Sequence, residues 1–337
     1  MLLTGPGRVE ARQSLLEPVR TGRALIRVIQ CGLCASEIDQ WLGRSGRYPV
    51  EIGHEVAGVV EDIAPDQEGG PLSVGDHVVS WVPGGGFTEF MVIETRHAIP
   101  VRPGIVFPAV AEPLACCVNA VELAAPRAGA DVVIIGTGFM SLLIQRLSIL
   151  KGARSVIVAG RRPAALARCA EQGATRVVDL RTESLADVVA ADTEGGGADV
   201  TYEATGAQDA LTLAGQATRT SGTIAIVGYH QGEPRTVDLA HWNEQAFRIA
   251  NAHFRDLPTI LEGMRTAIAL VDSGRLDPSD LLTHRYPLHE ISAAFRDAVR
   301  RPDGFIKAVI EPASDVGSVD GEVFRRASRK SSAAHHR

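Results

Sequence analysis

The chain has 337 residues, of which 45% are hydrophobic, 22% charged and 5% aromatic, and its formal net charge is −6. This length predicts about two domains, and the composition lacks the basic face and stacking rings that nucleic-acid binders use. The cysteine count of five is odd and does not suit a secreted disulfide framework, so we expect these thiols to ligate a metal or to pack in a core.

The N-terminal segment has only three hydrophobic residues, Met1–Leu3, before a Gly- and Pro-containing turn. That is too short for the apolar region of a signal peptide. The most apolar stretch, residues 132–150, contains two glycines, Gln145 and Arg146, and does not read as a membrane span. We therefore expect a cytoplasmic protein that binds neither membranes nor nucleic acid.

From the start of the chain to about residue 120, short apolar runs are separated by Gly, Pro and Asp. The runs are ALIRVIQ (24–30), VAGVVEDI (56–63), DHVVSWV (76–82) and FTEFMVI (87–93). Short strands at this spacing predict an all-β barrel or sandwich.

From about residue 118 to residue 256, predicted strands alternate with predicted helices. The buried strand DVVIIG (131–136) leads into a helix with Leu143, Leu147 and Leu150 on one face, and the strand SVIVAG (155–160) follows. This alternation predicts a doubly wound, parallel α/β sheet.

Two amphipathic helices and the strand GFIKAVIE (304–311) come after residue 257. These elements are too few to build a third core, so we expect residues 257–313 to return to the first domain. Residues 314–337 are rich in Ser, Arg and Ala without periodicity, which predicts a disordered tail.

A glycine-rich turn joins the strand at 131–136 to the following helix. Gly136 permits a tight turn, and Gly138 lets the backbone approach a pyrophosphate at the helix N-terminus. Ser141 stands where the dinucleotide fingerprint has its third glycine. The complete βαβ context favours a dinucleotide site over a plain structural turn, and the residues predicted to bind it are Gly136, Thr137, Gly138, Phe139 and Met140.

The end of the second strand predicts which dinucleotide binds. An NAD site carries an acidic side chain there for the ribose 2′-OH, whereas this chain has Gly160 followed by Arg161 and Arg162. Gly leaves space for a 2′-phosphate, and guanidinium groups pair with it. We therefore expect NADP(H) to be preferred over NAD(H); the alternative is that both arginines are merely solvated.

Thiol, imidazole and carboxylate groups occur in three separate segments of the first domain: CGLCASEID (31–39), GHEVAG (53–58) and AEPLACC (111–117). Such a set is typical of an open catalytic zinc site. Cys31 and Cys34 form a CxxC motif, but the second pair of a zinc finger is missing, and the motif lies in the β-rich region rather than in a thioredoxin-like βαβ unit.

Over residues 1–313 the chain resembles the zinc-dependent medium-chain dehydrogenases/reductases, in the branch of alcohol, polyol and cyclitol dehydrogenases. The motifs that carry the resemblance are CGLCASEID, GHEVAGVV, GDHVV, GGFTEF, AEPLA, VIIGTGFM and GFIKAVI. The resemblance implies a GroES-like β-barrel catalytic domain, residues 1–117 and 257–313, and a Rossmann dinucleotide-binding domain, residues 118–256. It also implies a homodimer or homotetramer.

The same resemblance implies how one catalytic zinc is held. Cys34 and His54 match zinc ligands, and Glu55 matches either a ligand or a nearby carboxylate that exchanges onto the metal. Glu112 matches the third ligand of the polyol branch, with Cys116 as the alternative. Members with a structural zinc carry a four-cysteine lobe where this chain has only SWVPG, so a structural zinc is not expected.

Further roles follow from matched positions. Ser36 matches the hydroxyl that takes the alcohol proton, and Glu37 matches an acid that orients the ligand histidine. Lys307 matches a basic residue near the cofactor pyrophosphate. Asp39 stands where many members have a histidine, so it is the expected end of the proton relay, with direct release to solvent as the alternative.

The predicted activity is hydride transfer between NADP(H) and a secondary alcohol or ketone of a polyol, sugar or (amino)cyclitol. The segment AEPLAC resembles cyclitol dehydrogenases in particular. Two alternatives stay open: a zinc-independent NADPH-dependent reductase of the same superfamily, and a nucleotide-binding protein without catalysis. The retained Cys, His and Glu residues count against both.

Overall fold

The N-terminal part of the chain is built mainly of strands, as its short apolar runs predict. The computed structural model describes residues 1–44, 46–64, 72–104 and 110–312, so the predicted tail lies outside the described residues. The first elements are β1 (Leu2–Gly5), β2 (Arg8–Glu10), β3 (Arg23–Gly32), α1 (Ala35–Trp41), β4 (Val50–Glu51), β5 (Glu55–Ile63), β6 (His77–Trp81), β7 (Phe90–Glu94) and β8 (Ala98–Pro100).

Helices and strands alternate through the middle of the chain. The elements are α2 (Ala111–Ala124), β9 (Asp131–Ile135), α3 (Phe139–Leu150), β10 (Ser155–Gly160), α4 (Pro163–Glu171), β11 (Arg176–Asp179), α5 (Leu185–Asp192), β12 (Ala198–Glu203), α6 (Gln208–Ala217), β13 (Thr218–Ile226), α7 (Leu239–Glu244) and β14 (Arg248–Asn251). The last described elements are α8 (Leu257–Asp272), β15 (Leu282–Pro287), α9 (Ile291–Arg300) and β16 (Lys307–Glu311).

Among the described residues, six strands form a parallel sheet in the order β11-β10-β9-β12-β13-β14. Every residue of β9 is buried, because separate apolar clusters cover the two faces of the sheet. The strand order reverses between β9 and β12, and ligands of such sheets bind outside the carboxyl ends of the strands at that switch point. The predicted doubly wound sheet is confirmed.

A second sheet of the described residues joins seven strands in the order β15-β16-β3-β5-β6-β8, with β7 also paired to β3. Strand β16 pairs with β3 at Val309–Gly32 and Ile310–Cys31. The last described strand therefore pairs with the N-terminal sheet. This pairing places Lys307, the first residue of β16, beside the segments that carry the predicted metal ligands.

Helix α2 spans the position at which the sequence analysis separates the two domains, 117/118, and packs against α8 and α3. The Asn119 side chain donates from Nδ2 to the Thr259 carbonyl at 3.0 Å.

On α3, Leu143 and Leu147 are buried as expected, but Leu150 in the last turn is 37% exposed. Within the described residues, no helix is long and apolar enough to cross a membrane.

Candidate active site

Three of the predicted metal ligands converge where α1 and β5 begin. Cys34 is the residue before α1, and His54 directly precedes Glu55, the first residue of β5. One potential ligand atom from each of these three side chains lies within 4.8 Å of the others. Thiolate, imidazole and carboxylate are donors that zinc takes in proteins, so the residues present fit this metal.

A buried carboxylate organises the two segments that carry this cluster. Glu37 Oε2 accepts from the Cys34 backbone N at 3.0 Å, and Oε1 accepts from the Gly53 backbone N at 2.6 Å. Oε1 also lies 3.1 Å from His54 Nδ1. Burial lowers the pKa of His54, but the negative charges of Glu37 and Cys34 outweigh it and raise that pKa well above its usual value. One carboxylate, that of Glu37, thus contacts both segments and the His54 ring.

Glu55 faces a second partner, Lys307, inside the protein. Lys307 Nζ donates to Glu55 Oε1 at 2.7 Å and lies 2.6 Å from Oε2. Burial lowers the pKa of Lys307, and the charge of Glu55 more than offsets it, so the net shift is upward. The same ammonium lies 5.0 Å from the centre of the Phe139 ring at the start of α3. Lys307 therefore contacts both Glu55, in the group of candidate metal ligands, and Phe139, beside the glycine-rich turn.

Room for the Glu55 carboxylate is provided by Gly32, which pairs with Glu55 across strands β3 and β5. A Cβ atom at position 32 would overlap Glu55 Oε2 and lie 2.9 Å from Cδ. This function of the glycine in CGLC is not visible in the sequence, because its partner stands 23 residues away and only strand pairing brings the two together.

We expect Gly32→Ala to displace the Glu55 carboxylate and to break its contact with Lys307. Breaking a buried ion pair costs roughly 3–5 kcal/mol, so the free energy of unfolding should fall by about that amount in urea titrations. Gly5→Ala is the matched control, because a Cβ there meets nothing within 4 Å. Equal stability of the two variants would contradict this role of Gly32.

Glu112 lies in the first turn of α2 and is not one of the three residues whose ligand atoms lie within 4.8 Å. Its Oε1 accepts a hydrogen bond from Cys116 Sγ at 3.5 Å. Burial raises the pKa of Glu112, while the charge of His54 opposes this rise. Glu112 and Cys116 share one face of the helix, so both alternatives for the remaining ligand stay open.

The two predicted relay residues lie on one side of α1. Ser36 is half-buried, and among the described residues its hydroxyl has no hydrogen-bond partner. Asp39, one helical turn later, accepts from Arg44 Nη1 at 3.3 Å. The Ser36 hydroxyl is thus available to a ligand, whereas Asp39 already has a cationic partner.

The glycine-rich turn lies at the switch point of the parallel sheet. Gly136 has φ +127°, and a Cβ there would lie 2.9 Å from Ser141 Oγ, so the serine in place of the third glycine packs beneath the turn. At Gly138, which caps α3, a Cβ would meet nothing within 4 Å. Open space at a helix N-terminus suits a phosphate group. Met140, in the first turn of α3, contacts Cys117 through its sulfur at 3.7 Å.

The two predicted arginines, which follow the end of β10, have different surroundings. A Cβ at Gly160 would lie 2.5 Å from the Thr137 methyl group, so the space beside this glycine, expected to be open for a 2′-phosphate, is occupied by Thr137, and the glycine lets β10 lie close to the turn. Arg161 is exposed and forms an ion pair with Asp209. Arg162 caps α4, is half-buried, and has no ion-pair partner within the part of the chain that the structure describes.

The surroundings of Arg162 are electropositive. Burial lowers the pKa of Arg162, and the positive charges of Arg301 and Arg168 lower it further. An anion placed beside Arg162 would relieve this repulsion. Of the two arginines that the sequence analysis assigns to a 2′-phosphate, Arg162 is therefore the better placed.

Two family models match the chain. "Alcohol dehydrogenase GroES-like domain" matches residues 20–103, and "Zinc-binding dehydrogenase" matches residues 136–271. Together these segments cover more than half of the chain. Among curated proteins, an L-threonine 3-dehydrogenase from Paraburkholderia phymatum is 25% identical in an alignment with a length of 308 residues. The alignment covers 80% of this chain and 87% of the relative.

Solved structures have the same fold. The 2R,3R-butanediol dehydrogenase from Bacillus subtilis has a TM-score of 0.81 and 21% identity, covering 93% of this chain and 99% of its own. A protein assigned as a zinc-binding dehydrogenase from Sinorhizobium meliloti 1021, bound to NADP, has a TM-score of 0.78 and 24% identity, covering 91% and 96%. The predicted fold class, a GroES-like domain with a Rossmann domain, is confirmed. The chain belongs to the medium-chain dehydrogenase/reductase superfamily and is an oxidoreductase of its zinc-dependent alcohol dehydrogenase family.

Proposed function

We propose that this protein transfers a hydride between NADP(H) and a secondary alcohol or ketone of a polyol, sugar or (amino)cyclitol, with one catalytic zinc. The observation that carries the proposal is the convergence of Cys34, His54 and Glu55 within 4.8 Å, together with the Lys307 contact to Phe139 at the glycine-rich turn. Through Lys307, which contacts both Glu55 and Phe139, the metal donors are adjacent to the cofactor turn.

Cys34 and His54 would hold the metal, with Glu55 beside them and Glu112 or Cys116 completing the set. When bound there, zinc would act as a Lewis acid on the substrate oxygen, and the nicotinamide ring would carry the hydride. Glu37 holds the His54 ring through Nδ1 at 3.1 Å, which leaves Nε2 for the metal.

The chain itself moves the proton of the alcohol. Ser36 stands two residues after Cys34 at the start of α1, and its Oγ accepts the proton that the substrate hydroxyl loses while it gives up its own hydroxyl proton. From Ser36 the proton passes towards solvent, with Asp39 on the same side of the helix as the next acceptor. Lys307 neutralises the charge of Glu55 at 2.7 Å, so that a buried carboxylate does not repel a substrate alkoxide.

The proposed preference for NADP(H) is supported by the end of β10. Gly160 carries no acidic group against a 2′-phosphate, and Arg162 lies in electropositive surroundings. The Sinorhizobium neighbour is bound to NADP. We further propose that residues 1–117 and 257–313 form the catalytic domain, and that residues 118–256 bind the dinucleotide.

The proposed substrate class is supported by the names of the relatives. L-threonine 3-dehydrogenase and 2R,3R-butanediol dehydrogenase each act, by name, on a secondary alcohol next to a second polar group. A spectrophotometric screen of polyols, sugars, cyclitols and aminocyclitols with both nicotinamide cofactors tests the proposal. Turnover of one such class with NADP⁺ supports it, and cofactor binding without turnover across the panel contradicts it.

We expect Arg162→Ala to weaken NADP⁺ binding about tenfold or more while changing NAD⁺ binding little, because a charge-assisted contact to the 2′-phosphate is lost. Arg161→Ala is the matched control, since that guanidinium already pairs with Asp209, and its effect should be smaller. Dissociation constants for both cofactors, measured by calorimetry, check this. Equal weakening of NAD⁺ and NADP⁺ in Arg162→Ala would refute the 2′-phosphate assignment.

A further inference from the structure

A buried carboxylate that the proposed mechanism does not use ends strand β12. Glu203 is fully buried, and its Oε1 accepts three hydrogen bonds from the turn that follows. The donors are the Thr205 backbone N at 2.7 Å, Thr205 Oγ1 at 2.6 Å and the Gly206 backbone N at 2.9 Å. One carboxylate oxygen thus fixes the backbone of 205–206.

The other oxygen of this carboxylate reaches the segment after β13. His230 Nε2 lies 2.8 Å from Glu203 Oε2, and Arg235 Nε donates to His230 Nδ1 at 3.3 Å. Because Nδ1 accepts from a guanidinium, the proton of the ring is on Nε2 and is donated to Glu203. Arg235 also donates through Nη2 to the carbonyls of Gly206 at 3.3 Å and Gln231 at 3.1 Å.

Gly228 ties the same two segments together. Its backbone N donates to the Glu203 carbonyl at 2.8 Å, and its carbonyl accepts from His253 Nε2 at 3.2 Å. A Cβ at Gly228 would overlap the Gly206 backbone N and lie 2.5 Å from Glu203 Oε2. The backbones after β12 and β13 are therefore packed in direct contact around the Glu203–His230 hydrogen bond.

These backbones border the cofactor turn on the side away from Arg162. A Cβ at Gly136 would lie 3.2 Å from the Thr205 methyl group, so the 205–206 turn adjoins the glycine-rich turn at the switch point. The β9–β10 half of a doubly wound sheet takes the adenosine end of a dinucleotide, and β12–β14 take the other end. The Glu203–His230–Arg235 group would thus lie beneath the nicotinamide end of a dinucleotide bound in this way.

We propose that Glu203, His230 and Arg235 are positioning residues that hold the 205–206 and 228–230 backbones in the shape that receives the nicotinamide half of the cofactor. The inference rests on the proposed use of a dinucleotide and adds residues to its site. It requires no contact between these three side chains and the cofactor, because their hydrogen bonds act on the backbone that faces it.

Two ligands distinguish local positioning from a general structural role. NADPH occupies both halves of the site, whereas 2′,5′-ADP occupies only the adenosine half. We expect His230→Leu to weaken NADPH binding about tenfold or more, because the hydrogen bond to a buried carboxylate is lost, and to leave 2′,5′-ADP binding unchanged. His230→Gln retains an N–H donor for Glu203 and should restore most of the NADPH affinity.

The binding measurements use NADPH fluorescence and calorimetry with 2′,5′-ADP on the metal-loaded protein. His241→Leu is the matched control, because His241 contacts a backbone carbonyl of the same domain, that of Gly215, at 3.3 Å; both affinities should be unchanged. Arg235→Met, which removes the donor to Nδ1, should resemble His230→Leu and serves if the leucine variant does not fold.

Unchanged NADPH affinity in His230→Leu and Arg235→Met would overturn the inference. Equal weakening of NADPH and 2′,5′-ADP would overturn it as well, since that pattern marks a general loss of structure. A wild-type protein that binds neither NADPH nor NADH refutes the proposed function itself, and the inference with it. A protein that binds NADH alone refutes only the cofactor preference, and the comparison is then made with NADH and ADP.

Discussion

If the proposed zinc is bound at this cluster, Cys34→Ser is expected to remove it and to lower turnover about 1,000-fold or more, because a metal Lewis acid contributes several kcal/mol to such a reaction and each 1.36 kcal/mol corresponds to about tenfold in rate. The serine hydroxyl is a poor replacement for a thiolate ligand. The loss should be seen both in metal content and in kcat, with the fold retained by circular dichroism.

Cys31→Ala is the control for this prediction, since Cys31 belongs to the same CxxC motif. Cys31 is fully buried, and a Cβ at Gly53 or Gly86 would lie 3.0 Å from its Sγ, so it packs between these glycines. We expect Cys31→Ala to keep its zinc and to lose only about 1 kcal/mol of stability through the small cavity. Loss of zinc from both variants would contradict the assignment of Cys34 alone as the ligand of this motif.

Ser36→Ala is expected to lower kcat by about 10²–10⁴-fold, the usual contribution of a positioned proton acceptor, while zinc content and cofactor affinity stay unchanged. Ser36 is half-buried in α1, and within the described ranges its hydroxyl has no protein partner, so its removal leaves no buried group unsatisfied. Stopped-flow measurement of cofactor reduction, with a solvent isotope effect, checks this prediction.

Ser36→Thr retains the hydroxyl and should restore most of the rate. Asp39→Asn tests the next step of the relay and should have a smaller effect, because Asp39 is already paired with Arg44 at 3.3 Å and solvent is near. A Ser36→Ala variant with wild-type kcat and an unchanged isotope effect would show that the proton leaves by another route.

The layered fold could be predicted from periodicity alone. Strands β9 and β10 begin at the predicted residues, since continuous apolar runs between glycines identify buried parallel strands. The return of β16 to the first sheet was predictable because residues 257–313 cannot form a core of their own. Helix α2 was harder to delimit, because AEPLACC combines ligand-type and apolar residues and its helix continues across 117/118 into Ala124.

The geometry of the site depends on long-range contacts that no local pattern reports. In the sequence, Gly32 is an ordinary glycine of a CxxC motif. Only the pairing of β3 with β5 shows that the Glu55 carboxylate occupies the space where a Cβ atom of residue 32 would lie. Two adjacent arginines are equivalent in the sequence, yet Arg161 meets Asp209 on α6 and Arg162 does not. The contact of Glu203 with His230 spans 27 residues, and nothing in either segment indicates the other.

The most direct test of the proposed chemistry is the zinc-to-protein ratio of the purified chain, measured by inductively coupled plasma mass spectrometry. One zinc per chain is expected in the wild type, and almost none in Cys34→Ser or His54→Ala. A wild-type chain that turns over alcohols with no zinc, or that keeps its zinc when both Cys34 and His54 are replaced, would contradict a catalytic zinc at this cluster.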